Sequence, residues 1–426
     1  MSRLFGTQIH LVGANHNTTP VEIREKLAIS NDRISDALKL LGKYASQGII
    51  VSTCNRTEIY TLSDSSTSQP GLEFLKSWTN SSEADLLPYL YCYQNEDAVR
   101  HLFNVAAGLD SMIIGEFEIL GQIRQSLERA KKARLADYLL QNLFQQAIRV
   151  GRRVRTETGI SRNALSVSSV AVELAARAID DLSTSKALVI GTGEAGRLVA
   201  KVLKERGVSQ IATTSRSYKK ASALAATLNG SSVRIENLSL ELATCDIVIS
   251  CTSAPHLILH RKTVENAMQV RPTKPLVIID IAVPRDVDPK VKQVTNVFLY
   301  DIDDFAHLTE LNRKQREAEI QNAIEIVKAE LEKFTTWWRS MEVKPIIRSL
   351  TGKAEGIRRA QLNKTLKKLR RLSTEEQESL EAMTKAIVQK ILHSPIQSLK
   401  NNVHRRGDYI DLVSELFQLT KDESAQ

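Results

Sequence analysis

The chain of 426 residues contains few cysteines, Cys54, Cys92, Cys245 and Cys251, and none of them forms a C-x-x-C pair. Their scatter argues against a disulfide scaffold and against a zinc site, which needs clustered ligands, so no metal is expected. Also missing is any run of about 18 apolar residues, the length that a membrane-spanning helix requires. The first residues, Met1-Ser2-Arg3-Leu4-Phe5-Gly6-Thr7, lead into polar sequence instead of the apolar core of a signal peptide. A cytoplasmic location with no membrane partner is therefore the expectation, and a reducing compartment would keep Cys54 as a free thiol.

Hydrophobic residues make up 42% of the chain and charged residues 25%, a balance typical of soluble folded proteins. The length favours two or three domains. The formal net charge of +9 is compatible with a polyanionic partner, although surface solvation accounts for such an excess in many proteins.

Over 1–160, short apolar strands such as Ile9-His10-Leu11-Val12-Gly13 and Gly48-Ile49-Ile50-Val51-Ser52 mix with helical stretches, which predicts an α+β domain. The small polar residues at 63–71, ending in Pro70-Gly71, read as a loop. A long helical zone follows from Gly121 to Arg155. Over 161–305, near-continuous apolar strands at 186–190, 211–215, 247–250 and 276–281 are separated by helical segments. That alternation predicts an α/β domain of Rossmann type, with a parallel sheet covered on both faces.

The last region, 306–426, is almost wholly helical. The stretch from Leu311 to Trp338 lacks proline and glycine and predicts one helix of roughly 40 Å. Pro345 is expected to break it, and Ser373-Thr374-Glu375-Glu376 reads as a capping box that opens another helix before Pro395. Packing within the monomer would bury the apolar stripes of these helices, but an arm standing away from the body needs a partner, which favours a dimer.

The hexapeptide Gly191-Thr192-Gly193-Glu194-Ala195-Gly196 follows the first apolar strand of the α/β region and precedes Arg197-Leu198-Val199. In that setting Gly191 suits a tight turn, Gly193 a close approach of pyrophosphate, and Gly196 the packing of helix on strand. The helix start supplies free N–H groups for phosphate. After the second strand no acidic residue is offered to a ribose hydroxyl; Ser215, Arg216 and Ser217 stand there, followed by Lys219 and Lys220. Hydroxyls and an arginine favour a 2′-phosphate and hence NADP(H). Asp280 to Asp286 lies just after another strand, where open parallel sheets bind ligands, and Pro284 would shape a loop beside the nicotinamide; Asp280 and Arg285 also suit a purely structural pairing.

Cys54 follows Ile49-Ile50-Val51 and sits among Thr53, Asn55 and Arg56. Such a thiol is either a small core residue or a nucleophile emerging at a strand end, where Arg56 would favour the thiolate or bind a substrate carboxylate. A nicotinamide site elsewhere in the chain gives weight to the nucleophile, because an acyl thioester accepts hydride and a free carboxylate does not. His101 suits acid–base work or carbonyl polarisation as well as an ordinary place on a helix face. Ser111 and Glu116, flanked by Gly108 and Gly115, are candidates for contacts with polar substrate groups.

In order and separation, Ser52-Thr53-Cys54-Asn55-Arg56-Thr57-Glu58, His101-Leu102-Phe103 with Gly108-Leu109-Asp110-Ser111 and Gly115-Glu116, the run at 152–158, the glycine turn and 280–286 resemble the glutamyl-tRNA reductase family over nearly the whole chain. The resemblance implies an N-terminal catalytic domain that binds glutamyl-tRNA, a Rossmann-type NADPH domain, a long spinal helix and an all-helical C-terminal dimerisation domain in a V-shaped homodimer. It implies that Cys54 attacks the ester of glutamyl-tRNA(Glu), releases tRNA(Glu) and holds a glutamyl thioester. NADPH then reduces the thioester to glutamate-1-semialdehyde for 5-aminolevulinate and tetrapyrrole biosynthesis, and without hydride water would hydrolyse it. On this resemblance His101 is catalytic, Arg56 recognises the substrate carboxylate, Thr53, Asn55, Ser111 and Glu116 support binding, and Gly191 to Gly196 with Ser215, Arg216 and Ser217 hold the cofactor. A transient complex with glutamate-1-semialdehyde aminomutase is a further expected partner.

One departure stands out: Phe117-Glu118-Ile119-Leu120 places Glu118 where the family more often has glutamine, adding negative charge near the glutamate site if it faces inward. Arg149, Arg152, Arg153 and Arg155, and a tract of Arg358, Arg359, Lys364, Lys367, Lys368, Arg370 and Arg371, are candidates for tRNA phosphates or for plain solvation. A different NADP-dependent dehydrogenase, related to shikimate dehydrogenase, and a nucleic-acid-binding module with a vestigial cofactor domain are the alternatives.

Overall fold

The computed structural model describes residues 7–63, 69–161, 166–179, 181–305, 316–369, 372–401 and 412–419. The start of the chain at 1–6, the centre of the expected loop at 64–68, the expected helix start at 311–315, and Arg370 and Arg371 lie outside the described residues. Contacts divide the chain into two compact units, Gln8–Leu331 and a helical unit from Glu332 onward.

In the first unit, four antiparallel strands form a sheet of order β2-β3-β1-β4: β1 (Gln8–Asn15), β2 (Gly48–Ser52), β3 (Arg56–Ser63) and β4 (Tyr91–Gln94). One face packs Val12, Ile50 and Ile59 against Leu27, Leu38 and Phe74 from α1 (Val21–Leu27), α2 (Ile34–Leu41) and α3 (Pro70–Thr79). After the short α4 (Glu83–Leu86) come α5 (Asn95–Ala107), α6 (Glu118–Lys132) and α7 (Tyr138–Glu157). The long helical zone expected from Gly121 to Arg155 is made of two helices, α6 and α7. The chain turns between them because Arg134 takes a positive φ of 58°, the carbonyl of Leu135 accepts the Gly48 N–H at 2.7 Å, and the Asp137 side chain caps α7.

The parallel sheet has six strands in the order β10-β9-β8-β5-β6-β7: β5 (Lys186–Ile190), β6 (Gln210–Thr214), β7 (Ser231–Val233), β8 (Ile247–Ser250), β9 (Leu276–Asp280) and β10 (Val297–Asp301). Its helices are α8 (Val167–Ala178), α9 (Glu194–Glu205), α10 (Tyr218–Leu228), α11 (Leu238–Leu242) and α12 (Arg261–Val270). Strands β8 and β9 are buried at every position, as apolar strands covered on both faces must be. The chain winds outward in opposite directions from β5 and β8, so the crevice beyond their carboxyl ends is the switch point where such sheets bind ligands.

Helix α13 (Glu317–Lys368) begins in the first unit and runs without interruption through position 345, and α14 (Thr374–Asn401) contains Pro395. Neither proline ends a helix as expected. A helical proline costs about 3 kcal/mol, a penalty of the size recovered by burying one or two apolar side chains; Val343, Ile346, Leu399 and Val413 cluster around these positions. The capping box does form: the Ser373 N–H donates to Glu376 and the Glu376 N–H to the Ser373 hydroxyl. Arg358 is buried and binds Glu355 and Thr384, so it ties helix to helix and does not face a phosphate. Met383, Ile387 and Ile391 recur at four-residue spacing on α14 and are about half exposed or more, an apolar stripe left partly open to solvent among the described residues. Among the described residues no helix is long and apolar enough to cross a membrane.

Gly151 lets α7 cross α5 closely, because a Cβ there would stand 2.3 Å from the Ala106 carbonyl oxygen. Alanine gains up to about 1 kcal/mol in helix propensity, whereas forcing packed backbones apart costs about 1–3 kcal/mol. Gly151→Ala is expected to lower the urea midpoint; a raised midpoint would show that propensity prevails.

Candidate active site

Strand alternation puts Arg56, Glu58 and Tyr60 on one face of β3. All three are buried, and Glu58 gathers the others. Its Oε1 accepts from Arg56 Nη1 at 2.7 Å and the Tyr91 hydroxyl at 2.7 Å, and lies 2.8 Å from His101 Nε2; its Oε2 accepts from the Tyr60 hydroxyl at 2.8 Å. Burial alone would push this carboxyl up, but the charges of His101 and Arg56 and the hydrogen bonds from His101 and Tyr91 hold it well below the usual carboxylate range. Room for Glu58 comes from Gly13 opposite it on β1, where a Cβ would lie 2.8 Å from Glu58 Cγ. His101, on α5, rests against the rings of Tyr91 and Tyr93.

Arg56 continues from Glu58 to Asp110, giving Nη1 to Oδ2 at 2.9 Å and Nη2 to the backbone carbonyl. Glu58, His101 and Asp110 place three potential metal-ligating atoms within 4.8 Å of one another, and the Arg56 guanidinium already supplies positive charge to the two carboxylates. Asp110 is 27% exposed, against 1% for Arg56, so it is the member of the network that a ligand can reach.

Cys54 occupies the turn between β2 and β3. The Thr53 hydroxyl accepts the N–H groups of Asn55 and Arg56 at 3.1 and 3.2 Å, and the Asn55 carbonyl accepts the His16 N–H at 2.9 Å. Thr53 therefore shapes the turn. The thiol is half-buried against the apolar cluster that runs from Met112 and Ile113 into the cofactor domain. This enclosure pushes it up to about 12, Glu116 and Glu118 push the same way, and Arg24 opposes them. The Arg56 guanidinium is bound to Glu58 and Asp110, and Arg24 is the cation whose charge favours the thiolate most.

Glu116 is buried, and that burial together with Glu118 raises its carboxyl to about 7. Glu118 is half-buried, and burial and then the charge of Glu194 raise it too. The residue that departs from the family pattern is thus partly withdrawn from solvent, and its charge acts on the thiol while that of Glu194, the first residue of α9, acts on it. Among the described residues, buried polar atoms in this neighbourhood without a hydrogen-bond partner include Asn55 Oδ1, His16 Nδ1, Arg155 Nε and Ser111 Oγ, the last beside Glu116 without a well-formed bond. His16 is lowered to about 4 by burial and by Arg56. Such atoms suit a polar ligand that would complete them.

The glycine turn has the form a dinucleotide needs. Gly191 has a φ of 115° and packs against Cys251, a Cβ on Gly196 would stand 2.1 Å from the Gly191 carbonyl oxygen, and Gly193, capping α9, faces open space. Thr192 and Ala195 are half-buried and Glu194 is exposed; after β6, Arg216 is exposed and the Ser215 hydroxyl donates to the Ser217 carbonyl. These residues fit a phosphate-bearing cofactor. Asp280 and Arg285 do not pair with each other. Asp280 accepts the N–H groups of Ala282, Asp286 and Val287, and burial and then Asp286 raise it to about 8.

Sequence reasoning had not assigned roles to Glu58, Asp110, Tyr91, His16 or Arg24; the alternation of Arg56, Glu58 and Tyr60 along one strand was the available signal. Two basic candidates are committed elsewhere. Arg155 donates to the carbonyls of Ala106, Gly151 and Glu116, and Arg153 pairs with Glu157 and Glu330, whereas Arg149 and Arg152 are exposed.

Residues 12–158 match the model of the glutamyl-tRNAGlu reductase N-terminal domain, 173–308 that of shikimate/quinate 5-dehydrogenase, and 322–419 that of the glutamyl-tRNAGlu reductase dimerisation domain. The dehydrogenase likeness is confined to the middle of the chain. Glutamyl-tRNA reductase of Carboxydothermus hydrogenoformans is 42% identical over 96% of this chain and 92% of its own length, and that of Moorella thermoacetica 43% over 97% and 95%. The solved glutamyl-tRNA reductase of Methanopyrus kandleri is 32% identical, covers 96% of this chain and 99% of its own, and superposes with a TM-score of 0.50. With both flanking regions matched and the relatives aligned nearly end to end, the chain belongs to the glutamyl-tRNA reductase family.

Proposed function

We propose that the chain carries out the NADPH-dependent reduction of glutamyl-tRNA(Glu) to glutamate-1-semialdehyde, releasing tRNA(Glu), in the route to 5-aminolevulinate and tetrapyrroles. The observation that carries this reading is one apolar cluster shared by the two regions: Met112 and Ile113 of the catalytic region are buried in it together with Val189, Ile249 and Ile279 of the parallel sheet, and Cys54 packs against it. In this reading 1–160 captures the substrate, 161–305 holds NADPH and 306–426 forms the homodimer, to which the exposed stripe on α14 is suited.

Cys54 attacks the ester carbonyl and takes the glutamyl group as a thioester, and NADPH, when bound, supplies the hydride. Gly191 to Gly196 would hold its pyrophosphate, and Ser215, Arg216 and Ser217 would hold the 2′-phosphate. The substrate's α-ammonium fits between Glu116 and Glu118. Positive charge there offsets the two carboxyls that raise the thiol, so the substrate itself favours the thiolate. Arg56 takes the side-chain carboxylate in exchange for Asp110, with Thr53, Asn55 and Ser111 around it, and His101 serves at the carbonyl. A transient complex with glutamate-1-semialdehyde aminomutase belongs to the proposal because the product is a reactive aldehyde.

Single-turnover mixing with glutamyl-tRNA carrying labelled glutamate tests the reading: label should rest on Cys54 and leave as aldehyde when NADPH is added. Cys54→Ser should abolish reduction and keep cofactor binding; retained turnover would remove the nucleophile. Arg216→Glu should weaken NADPH about tenfold or more while changing NADH little, since only the former meets a like charge; equal losses in direct titrations would refute its role. Glu118→Gln removes a negative charge beside Cys54, so the thiolate fraction at pH 7 should rise and iodoacetamide should react about three- to tenfold faster. An unchanged or slower rate would place Glu118 outside the thiol's field.

A further inference from the structure

Helix α1 lies against the catalytic sheet, yet its polar side chains bind the cofactor domain. Glu25 accepts from Arg285 three times: from the backbone N–H at 2.7 Å, from Nε at 2.7 Å and from Nη2 at 3.1 Å. Glu22 accepts from Arg285 Nη1 at 3.1 Å. The Arg285 and Glu25 side chains are only 15% and 20% exposed, so solvent screens this pair less than a surface pair. On the same helix, Arg24 is buried and splits its guanidinium three ways: Nε to the Thr19 carbonyl at 3.1 Å, Nη1 to the Cys54 carbonyl at 3.2 Å, and Nη2 to Asp303 beyond β10. One short helix therefore grips the nucleophile's backbone and two loops of the cofactor domain.

The loop that carries Arg285 borders the same apolar cluster as the thiol. Its Ile281 is buried in the cluster against which Cys54 packs, and Val283 borders the same cluster. Asp280 fixes the root of the loop through the N–H groups of Ala282, Asp286 and Val287, and Glu25 holds its outer end.

We propose that Glu25 and Arg285 are positioning residues of a latch through which α1 keeps the cofactor domain closed over Cys54 and shields the glutamyl thioester from water. The latch rests on the thioester reading given above. Hydrolysis is the competing fate: water oxygen bonds to the acyl carbon, the carbon–sulfur bond breaks, sulfur regains a proton and glutamate leaves. Productive reduction delivers hydride to the same carbon, breaks the same bond and releases the aldehyde. A loose loop admits water to the first path without hindering capture.

The test is the lifetime of labelled glutamate on Cys54, loaded from glutamyl-tRNA in the full-length protein without NADPH. Glu25→Ala and Arg285→Ala are each expected to shorten it about tenfold, and because the two act as one pair the double variant should do no worse than the poorer single. Glu25→Gln, which keeps an acceptor for the Arg285 N–H, should recover part of the lifetime. Loading within about twofold of the parent protein would show that the fold and the capture step survive. With NADPH present, the share of glutamate over aldehyde should rise in parallel. Parent-like lifetimes in both single variants, or losses that add in the double, overturn the latch. If the parent protein takes no label, the thioester reading fails, and the latch is judged by iodoacetamide: faster alkylation of Cys54 in the same variants supports it, and unchanged rates overturn it.

Discussion

Glu58 accepts hydrogen bonds from Arg56, Tyr60 and Tyr91 and faces His101, with no exposure to solvent. Four side chains from β3, β4 and α5 are oriented by it, and Gly13 on β1 makes the space it fills. Taking away one partner of such a buried ion pair typically costs about 3–5 kcal/mol, because the survivor is left charged and unsolvated. The orientation of Arg56, and through Arg56 the setting of Asp110, follows from this one carboxylate. The Glu58 end of the network is held by the Arg56 ion pair and by two tyrosine hydroxyls, all buried or nearly so.

The thiol stands in the opposite condition. Its surroundings keep the proton on sulfur, through enclosure and through two nearby carboxyls, and a protonated cysteine reacts slowly with oxidants and stray electrophiles. The site therefore combines a buried hydrogen-bonded network with a thiol whose proton is held by its surroundings. On the proposed reading, the same carboxyls that restrain the thiol would take the ammonium of an aminoacyl ester, and recognition of the substrate would be linked to activation of the attacking group.

Much of this was legible in the chain. The glycine turn after β5 could be read because buried parallel strands are continuously apolar and the turn has a fixed chemical purpose, and Cys54 could be read from a strand end rich in polar groups. The role of Glu58 could not, since it depends on His101, 43 residues further on, and no local spacing reports that approach. Arg56 looked free to meet a carboxylate because its partner Asp110 lies 54 residues away. Local rules also misjudged Pro345 and Pro395, where tertiary burial outweighs the helix-breaking tendency of proline. The reverse held at 133–137, where a helical pattern was interrupted by a carbonyl needed at the edge of β2.

The turn that bears Cys54 is fastened on every side: Thr53 caps two of its N–H groups, Arg24 holds the Cys54 carbonyl, and His16 donates to the Asn55 carbonyl. Little freedom is left to the sulfur except rotation about the Cα–Cβ bond. On the proposed reading the acyl carbon would have to be carried to a nearly stationary atom, and the arc swept by Sγ would define the small set of approach directions along which an ester can be taken. Stereochemical selection at this site is then a property of the hairpin's backbone, settled before any side chain has touched the substrate.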